Sequence, residues 1–378
     1  MLKEVSPSVI WKRKNSMAVN YDTKSGQNYA PKSEMHKIVC TPGEFIVGVS
    51  RIDHGHIYGM CNGLKEAGAE IKYIYDPDPQ KVEKFVKAFP SAQVMESEDA
   101  LIAVKEMNLV CTSGIPNERY LVGLKALAAG KDFFSDKAAF TTQEQCDKAR
   151  SLVKKTGLKW FVYFGERLHV EAAIYAAQLI EEGRIGRVLS IKGWGPHKIG
   201  NEGRPDWFYK KEQYGGIITD VGSHQLEQAL YYAGAKDATY ISSRVGNLAN
   251  PDTPELEDYG DAMFITDNGI PCYISVDWYT PLGLCTWGDG RMFICGTKGY
   301  IEMRKYCDVA ATTESDHVIV VDEIGENHYR VHGRIGYPFF GQLIRDCLDR
   351  TEIAINQEHT FRAMELAIEA EEKAVRIK

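Results

Sequence analysis

The feature that most constrains the fold of this chain is an alternation of short apolar runs with segments of helical periodicity. The run 45–49 has the length of a buried strand, and apolar residues then recur at helical spacing from Ile57 to Ala67 before Gly68. Strands that alternate with helices up to about residue 164 predict an α/β domain with a doubly wound parallel sheet. The further predicted strands are 71–75, 109–112, 132–134 and 159–164, and the further predicted helices are 79–89, which buries Val82, Phe85, Val86 and Phe89, and the segment of Leu121, Leu124 and Leu127 that ends at Gly130.

The second half of the chain has a different pattern, in which strand-like runs are separated by turns. Residues 267–269 and 296–299 are strong hairpin signals because they place glycine in a tight turn. We therefore expect an α+β domain with a mostly antiparallel open sheet, crossed by a helix at 216–233, and a final amphipathic helix at 361–377. The predicted strands are 188–194, 240–245, 262–265, 272–278, 292–295, 300–303, 317–321 and 329–331.

The length and composition fit a protein with more than one core. With 378 residues and 44% hydrophobic content, the chain is long enough to form two domains. We predict an N-terminal arm at 1–40, which lacks clear periodicity, a first domain at 41–164, and a second domain at 165–378.

The charge and the cysteines exclude several classes of partner. The formal net charge is −7, and no basic block is interleaved with aromatic residues, so nucleic acid is not an expected partner. No apolar run is long enough to span a bilayer, so no membrane is expected either. The nine cysteines form no CxxC pair, which is typical of reduced thiols and predicts a cytoplasmic protein.

The segment 215–224, Gly-Gly-Ile-Ile-Thr-Asp-Val-Gly-Ser-His, is the strongest chemical signal. Residues four apart on a helix project from one face, so Asp220 and His224 can converge on one small molecule. A histidine can accept a hydroxyl proton, and a neighbouring carboxylate can orient the substrate or the ring. The alternative is that Asp220 caps backbone amides and His224 is an ordinary core residue.

The turn after the first predicted strand is where a nucleotide would lie. A dinucleotide fold needs small residues there, because backbone amides must approach a pyrophosphate at a helix N-terminus. The turn keeps Gly48 but has Ser50 and Asp53 where the usual fingerprint has glycine or alanine. Gly48, Ser50, Ile52, Asp53 and His54 are therefore the candidate cofactor contacts in this turn.

A carboxylate at the end of the second predicted strand indicates which dinucleotide is bound. Asp76 lies 21 residues beyond Gly55, where a carboxylate bonds ribose hydroxyls and repels a ribose phosphate, and this favours NAD over NADP. The alternative for Asp76 is an Asx turn before Pro77.

His54 and His56 form the only candidate metal pair that stands out in the sequence. They are two residues apart in a turn with no cysteine or carboxylate cluster nearby in the sequence, which makes a poor ligand set. We therefore predict no metal site.

Five segments in the same order make the chain resemble the Gfo/Idh/MocA oxidoreductases. Residues 113–117 are similar to the family's loop after the fourth strand, and 135–138 to its Glu-Lys-Pro segment. Residues 182–188 are similar to the entry into its second domain, 215–224 to its catalytic helix, and 296–299 to a later turn. The resemblance implies a Rossmann domain followed by a substrate-binding and oligomerisation domain, and NAD(P)-dependent oxidation of sugars, inositols or their derivatives.

The resemblance also assigns roles to residues. It implies that His224 accepts the proton of a secondary hydroxyl, that Lys137 stabilises the developing alkoxide, and that Asp220 holds adjacent hydroxyls. The further cofactor contacts that it implies are Thr112, Ser113, Pro116, Asn117, Asp136 and Lys137. The expected substrate contacts are Tyr163, Arg167, Trp194, Trp207, Tyr209, Asp220 and His224.

Two departures from the family pattern affect the loop that contains Lys137. Ala138 replaces a proline that often follows a cis bond in the family, so we expect a trans bond or a shifted loop here. Asp136 replaces a glutamate, which shortens a side chain near the cofactor.

Three functions remain open at this point. The aromatic-rich second domain favours a sugar or glycoside as the substrate of a dehydrogenase. The resemblance to members of the family that oxidise glycosides implies the C3 hydroxyl of a glucoside as a narrower candidate. The alternatives are a glycoside hydrolase that oxidises C3 transiently and a sensor that binds nucleotide without turnover. In each case we expect a homo-oligomer, a dimer or a tetramer.

Overall fold

The computed structural model of the protein describes residues 37–200 and 204–378, so the predicted arm at 1–40 lies almost wholly outside the described residues. Within the described part of the chain, the first sheet has six strands in the order β3-β2-β1-β4-β5-β6, and every neighbouring pair is parallel. The strands are β1 (Ile46–Ser50), β2 (Glu70–Tyr75), β3 (Gln93–Val94), β4 (Leu109–Thr112), β5 (Asp132–Asp136) and β6 (Trp160–Tyr163). The strand order reverses beside β1, which confirms the predicted doubly wound sheet.

The helices of the first domain begin and end where the sequence provides caps. Asp78 accepts a hydrogen bond from the amide of Gln80 at the start of the second helix, and Thr142 caps the fifth helix in the same way. Val82 and Val86 are only half-buried, and Leu121 is exposed, because Val122 and Ala126 pack against the sheet instead. The helices are α1 (His56–Glu66), α2 (Pro79–Ala88), α3 (Glu98–Ile102), α4 (Arg119–Ala128) and α5 (Gln143–Thr156).

The second sheet has nine strands within the described residues and is mostly antiparallel, as predicted. The strand order is β14-β13-β12-β11-β7-β10-β9-β8-β15, and only the pairs β7 with β10 and β8 with β15 are parallel. The strands are β7 (Val188–Pro196), β8 (Ala238–Gly246), β9 (Tyr259–Thr266), β10 (Pro271–Asp277), β11 (Arg291–Gly296), β12 (Gly299–Arg304), β13 (His317–Asp322), β14 (Glu326–Arg330) and β15 (Val375–Ile377).

Helices cover one face of this sheet. One helix was predicted at 216–233, but the chain forms a π-helical segment, Ile218–Gly222, before the regular helix begins at Ser223. The final helix begins at Gln357, where Asn356 caps it, and the last residues form β15 rather than the predicted helix end. The helices are α6 (Gly165–Leu168), α7 (Glu171–Glu181), α8 (Lys211–Tyr214), α9 (Ser223–Ala233), α10 (Pro338–Asp349) and α11 (Gln357–Glu372).

The two halves share one continuous buried core. Helix α11 packs against α5 and β6 of the first half and against α9 and β8 of the second. The predicted division into 41–164 and 165–378 stays a prediction. Among the helices of residues 37–200 and 204–378, none has both the length and the apolar character that are needed to cross a membrane.

Candidate active site

A pocket lies where the carboxyl end of β5 meets the π-helical segment and α9. Lys137 directly follows β5, and its Nζ donates to Oδ1 of Asp220 at 2.8 Å. His224 lines the same pocket as both members of this ion pair. The three predicted catalytic side chains, which come from different halves of the chain, are therefore neighbours.

The imidazole of His224 is buried and neutral. Burial and the charge of Lys137 lower the pKa of His224 to about 3, although the Glu166 carboxylate opposes both effects. Nδ1 of this ring is buried and has no hydrogen-bond partner within residues 37–200 and 204–378. A neutral ring beside an ammonium group can accept a proton from a bound hydroxyl.

Glu166 is a charged residue that lines the pocket, and no sequence motif indicates its role. Its carboxylate lies 2.5 Å from Nζ of Lys305 and accepts a hydrogen bond from Gln225 at 2.8 Å. Burial acts to raise the pKa of Glu166, but the charge and hydrogen bond of Lys305, with the neighbouring histidine rings, outweigh burial and lower it to about 2. Glu166 is therefore a fixed negative charge near two pocket histidines.

Asp136 organises the other wall of the pocket. Its carboxylate accepts from Nδ1 of His56 at 2.9 Å, from the Lys137 amide at 2.8 Å, and from Arg119 at 3.3 Å. Burial raises the pKa of Asp136, but the charges of His56 and Arg119 hold it well below its usual range. Asp136 is a permanent anion that fixes the backbone from which Lys137 projects.

The histidine pair does have a carboxylate nearby, contrary to the sequence-based expectation. Possible metal-ligand atoms of His54, His56 and Asp136 lie within 4.8 Å of one another. They meet because β4 alone separates β1 from β5, and the carboxyl ends of these parallel strands lie at one edge of the sheet. The guanidinium of Arg119 and the amide of Lys137 already bond the Asp136 oxygens. A hydrogen-bonded network accounts for this cluster without a metal ion.

The predicted trans bond before Ala138 is wrong, since the Lys137–Ala138 peptide bond is cis. The carbonyl oxygens of Lys137 and Ala138 both accept hydrogen bonds from the buried guanidinium of Arg119. Arg119 therefore fixes the backbone of this loop through two hydrogen bonds, which the sequence of the loop alone does not reveal.

Most predicted cofactor residues of the first turn lie at the carboxyl edge of the parallel sheet, but several of their side chains are already bonded. Ser50 donates to Glu98, and Asp53 pairs with Lys81 at 2.5 Å. A Cβ on Gly48 would lie 2.2 Å from Sδ of Met107, so this glycine is needed for packing behind the sheet. The turn after β1 can therefore bind the pyrophosphate of a dinucleotide through backbone groups rather than through these side chains.

Asp76 combines the two interpretations of its position. Its carboxylate accepts from the amide of Ile52 at 2.8 Å, which fixes the phosphate turn, and from the amide of Asp78 at 2.8 Å, which is an Asx turn. Burial raises the pKa of Asp76. The remaining lone pairs of its oxygens are still able to accept ribose hydroxyls.

The loop after β4 offers a direct test of whether a dinucleotide fits. Ser113 is bonded to the backbone of His54 at 2.7 Å, Thr112 donates to the Arg51 carbonyl, and Pro116 begins a short 3₁₀ turn. The buried Oδ1 of Asn117 has no hydrogen-bond partner within the described residues. An unpaired acceptor at this edge fits a ribose hydroxyl or a carboxamide of the cofactor.

The predicted substrate residues divide into two groups. Tyr163 and Trp207 line the pocket together with Asp220 and His224, whereas Tyr209 lies beside it, edge-on to Phe208. Trp194 lies outside the pocket and is 41% exposed, because Gly193 and Gly195 take the inward positions of β7. The period-two alternation of a strand decides this outcome.

Arg167 is also outside the pocket. Its guanidinium pairs with the buried carboxylate of Glu227, with Nε 2.7 Å from Oε1, and lies 3.9 Å from the ring centroid of Tyr231. It faces a separate groove beside α7 and α10. Arg167 is thus a structural residue at this position.

Several pocket residues were not predicted as contacts. Trp278 and Trp287 lie in the segment that follows β10, and no local motif marks them. His197 and Arg204 follow β7 in a segment whose donors and aromatic residues were the available signal. Burial lowers the pKa of His197 to about 4.

This fold and pocket define an oxidoreductase that combines a dinucleotide-binding domain with an antiparallel-sheet domain. The chain belongs to the Gfo/Idh/MocA family: residues 45–164 match its oxidoreductase domain with an NAD-binding Rossmann fold, and residues 174–302 match its C-terminal domain. The cofactor is NAD.

Known relatives agree with this assignment. A crystal structure of an oxidoreductase from Erwinia carotovora atroseptica is 43% identical, covers 88% of this chain and 100% of its own, and superposes with a TM-score of 0.86. A scyllo-inositol 2-dehydrogenase from Bacillus subtilis is 24% identical over 77% of this chain and 79% of that protein. A D-xylose dehydrogenase from Paenarthrobacter nicotinovorans is 27% identical, over 43% of this chain and 45% of that protein.

The chain matches only part of some relatives. The matches to the D-xylose dehydrogenase and to an oxidoreductase from Schizosaccharomyces pombe each cover 45% of the length of those proteins.

Proposed function

We propose that this protein is an NAD-dependent dehydrogenase that oxidises a secondary hydroxyl of a sugar, a cyclic polyol or a glycoside. The observation that carries the proposal is the convergence of Lys137, Asp220 and His224 on one pocket, with Nζ of Lys137 2.8 Å from Oδ1 of Asp220. Relatives named for the oxidation of D-xylose and scyllo-inositol support this substrate class.

The chain's own residues supply the proton chemistry. NAD, when it is bound, would supply the hydride acceptor for the carbon of the substrate. His224 accepts the hydroxyl proton, and Nε2 is the nitrogen for this task because Nδ1 is enclosed by protein. Lys137 donates a hydrogen bond to the developing alkoxide, and Asp220 accepts hydrogen bonds from neighbouring hydroxyls.

Glu166 makes this proton transfer feasible. A histidine with a pKa of about 3 is a weak base, but the Glu166 carboxylate favours the protonated ring. As the proton arrives, the new positive charge on His224 faces this fixed anion. We therefore assign Glu166 the role of a positioning residue that stabilises imidazolium during the reaction.

The walls of the pocket suit a ring-shaped polyol. Trp207, Trp278 and Trp287 present apolar surfaces that match the C–H faces of a sugar, and His197 and Arg204 offer polar groups at the edges. Oxidation of a glucoside at C3 remains our narrower candidate within this class.

A panel assay tests the proposal. Purified protein is mixed with NAD and a panel of sugars, inositols and glycosides, and both reduced nicotinamide and free aglycone are measured. We expect net reduced nicotinamide. Free aglycone without it would instead indicate the hydrolase, and neither product despite NAD binding would indicate the sensor.

Replacement of the proposed base sharpens this test. His224→Ala should lower turnover by roughly 100- to 10,000-fold while NAD affinity is kept, because a positioned acid or base contributes that much. The control is His328→Ala, which removes an exposed histidine on β14 and should leave turnover unchanged. Full turnover in the His224→Ala protein would refute the assignment.

We also propose that the protein is cytoplasmic and forms a homo-oligomer through the open face of the second sheet. Trp194, Met263 and Ile265 are more than 40% exposed on this face, and bare apolar sheet faces favour self-association. Sedimentation of Met263→Glu tests this proposal, since a fully dimeric variant would contradict it.

A further inference from the structure

The charges around the pocket do not balance within the described residues. Lys137 pairs with Asp220 at 2.8 Å, Arg119 with Asp136 at 3.3 Å, and Lys305 with Glu166 at 2.5 Å. Each of these pairs is neutral as a unit. The charged pocket residue outside them is Arg204, which has no carboxylate within 4.0 Å in the described part of the chain.

The buried histidines add no further positive charge. Burial lowers the pKa of His54, His197 and His224, so these rings are neutral near pH 7. Among the described residues, the pocket therefore carries the surplus positive charge of the Arg204 guanidinium.

The guanidinium of Arg204 is held rigidly with part of its donor set unused. Nε donates to the Ile199 carbonyl at 2.7 Å, and Nη2 donates to the Lys198 carbonyl at 2.9 Å. Cζ of Arg204 lies 4.9 Å from the ring centroid of Phe208 and 5.2 Å from that of Trp278. Backbone carbonyls and aromatic faces orient the group. Burial lowers the pKa of Arg204 to about 10, and the carboxylate of Asp220, which is paired with Lys137, opposes this fall.

A second unused donor lies on the same wall. Trp207, three residues further along the chain, is buried, and its indole Nε1 has no hydrogen-bond partner within residues 37–200 and 204–378. Two donors and a surplus positive charge match an anionic acceptor. A guanidinium in a fixed plane suits a carboxylate in particular.

We propose that the substrate carries a carboxylate, as in a uronic acid or its glycoside, and that Arg204 and the indole N–H of Trp207 bind this group. The inference rests on the proposed dehydrogenase function and names the substrate class within it. The carboxylate supplies the missing negative charge, and it orients the ring so that a secondary hydroxyl meets His224.

The test compares acidic with neutral substrates that share a ring configuration. Methyl glucuronide, galacturonide and mannuronide are each paired with the matching methyl hexoside, and kcat/KM with NAD is measured. We expect the wild-type protein to prefer one uronide over its neutral partner on the order of 100-fold, as for a desolvated charge pair. Equal use of both members of every pair would overturn the proposal.

Variants assign the preference to its residues. Arg204→Met should lose about 100-fold more activity on the uronide than on the hexoside, because only the uronide carries a carboxylate, and Trp207→Phe should lose roughly 5- to 10-fold on the uronide. The matched control is Arg187→Met, which removes an exposed arginine elsewhere and should keep the preference. An equal loss on both substrates in Arg204→Met would contradict a specific carboxylate site.

A binding measurement separates this inference from the proposed function. Calorimetric titration of the same sugars into the protein–NADH complex requires no turnover. Uronide binding that depends on Arg204, without NAD reduction by any sugar, would support the carboxylate site and refute the dehydrogenase. Failure of every uronide to bind would refute the carboxylate site.

Discussion

The chemistry of the pocket depends on how individual ionisable side chains are desolvated. His224 is neutral because it is buried and because Lys137 lies nearby, and Glu166 limits the fall of its pKa. Lys137 in turn pairs with Asp220. The ammonium group therefore has two effects, since it binds the reacting oxygen and it keeps the base unprotonated before the substrate arrives.

The second effect of Lys137 is measurable. In Lys137→Met the pKa of His224 should rise, because a positive charge beside the ring is gone, and turnover should fall about 10- to 1,000-fold. Titration of the His224 ring by NMR measures the change in its pKa, and kcat measures the loss of turnover. Lys125→Met, an exposed lysine on α4, should change neither, and an unaltered titration of His224 in Lys137→Met would show that the two groups are not coupled.

Among single residues, those predicted from the sequence belong to contiguous motifs. Lys137, Asp220 and His224 were predicted because each lies in a short segment with a characteristic pattern, and the fold brings them to one pocket. Glu166 and Trp278 could not be found in this way, since burial and distant strands bring them to the pocket. Trp194 lies outside the pocket because the alternation of the strand 188–194, which was not used to assign the inward side chains, directs it to the exposed face.

The element that carries Asp220 is held by a cluster of buried acids. Gly216 has φ +93°, and a Cβ there would lie 2.1 Å from Cδ of Glu371. Glu371 accepts from the amide of Ile218 at 3.0 Å, and Glu257 accepts from the amide of Ile217 at 3.2 Å. Lys211 pairs with both carboxylates. The start of the π-helical segment is thus tied to α11 and to the segment before β9.

This cluster makes stability depend on pH. Burial and the neighbouring Glu257 raise the pKa of Glu371 above its usual 4.5, so the folded state retains a proton that the unfolded state loses. The contribution of Glu371 to the free energy of unfolding therefore decreases as the pH rises above 4.5. Glu371→Gln should remove this loss, so its advantage over the wild type in chemical denaturation should grow from about pH 5 to about pH 9. Parallel curves for the two proteins would contradict this account.

At the element scale, periodicity and turn signals predicted most strands of both sheets. They could not predict the π-helical turn, because it depends on contacts with α11, and Glu371 and Ile218 are 153 residues apart in the sequence. The predicted start of the final helix, residue 361, is too late because the first residues of the helix, from Gln357, are mostly polar. The Asn356 cap stabilises this start rather than an apolar stripe.

In the whole molecule, closing the two halves over the pocket buries several histidines in neutral form. The pKa of His224 is about 3 and that of His197 about 4, both below the ordinary 6.5. The unfolded chain therefore binds more protons than the folded protein between these values. The stability of the folded state is complete above about pH 6.5 and falls as the pH is lowered towards about 4.

Denaturation at two pH values checks this expectation. The denaturant concentration at the midpoint of unfolding should be lower at about pH 5 than at about pH 7. His197→Gln should make this difference smaller, because one proton-binding site of the unfolded state is removed. A variant with an unchanged pH dependence would show that His197 titrates normally in the folded protein.

The central claim is that groups from both halves surround one carbinol beside the cofactor. A crystal structure of the protein with NADH and a bound substrate tests it most directly. We predict a secondary hydroxyl within about 3 Å of a ring nitrogen of His224 and of Nζ of Lys137, with its carbon facing the nicotinamide. A sugar bound in the groove beside Arg167, or one whose hydroxyls avoid His224 and Lys137, would contradict the account.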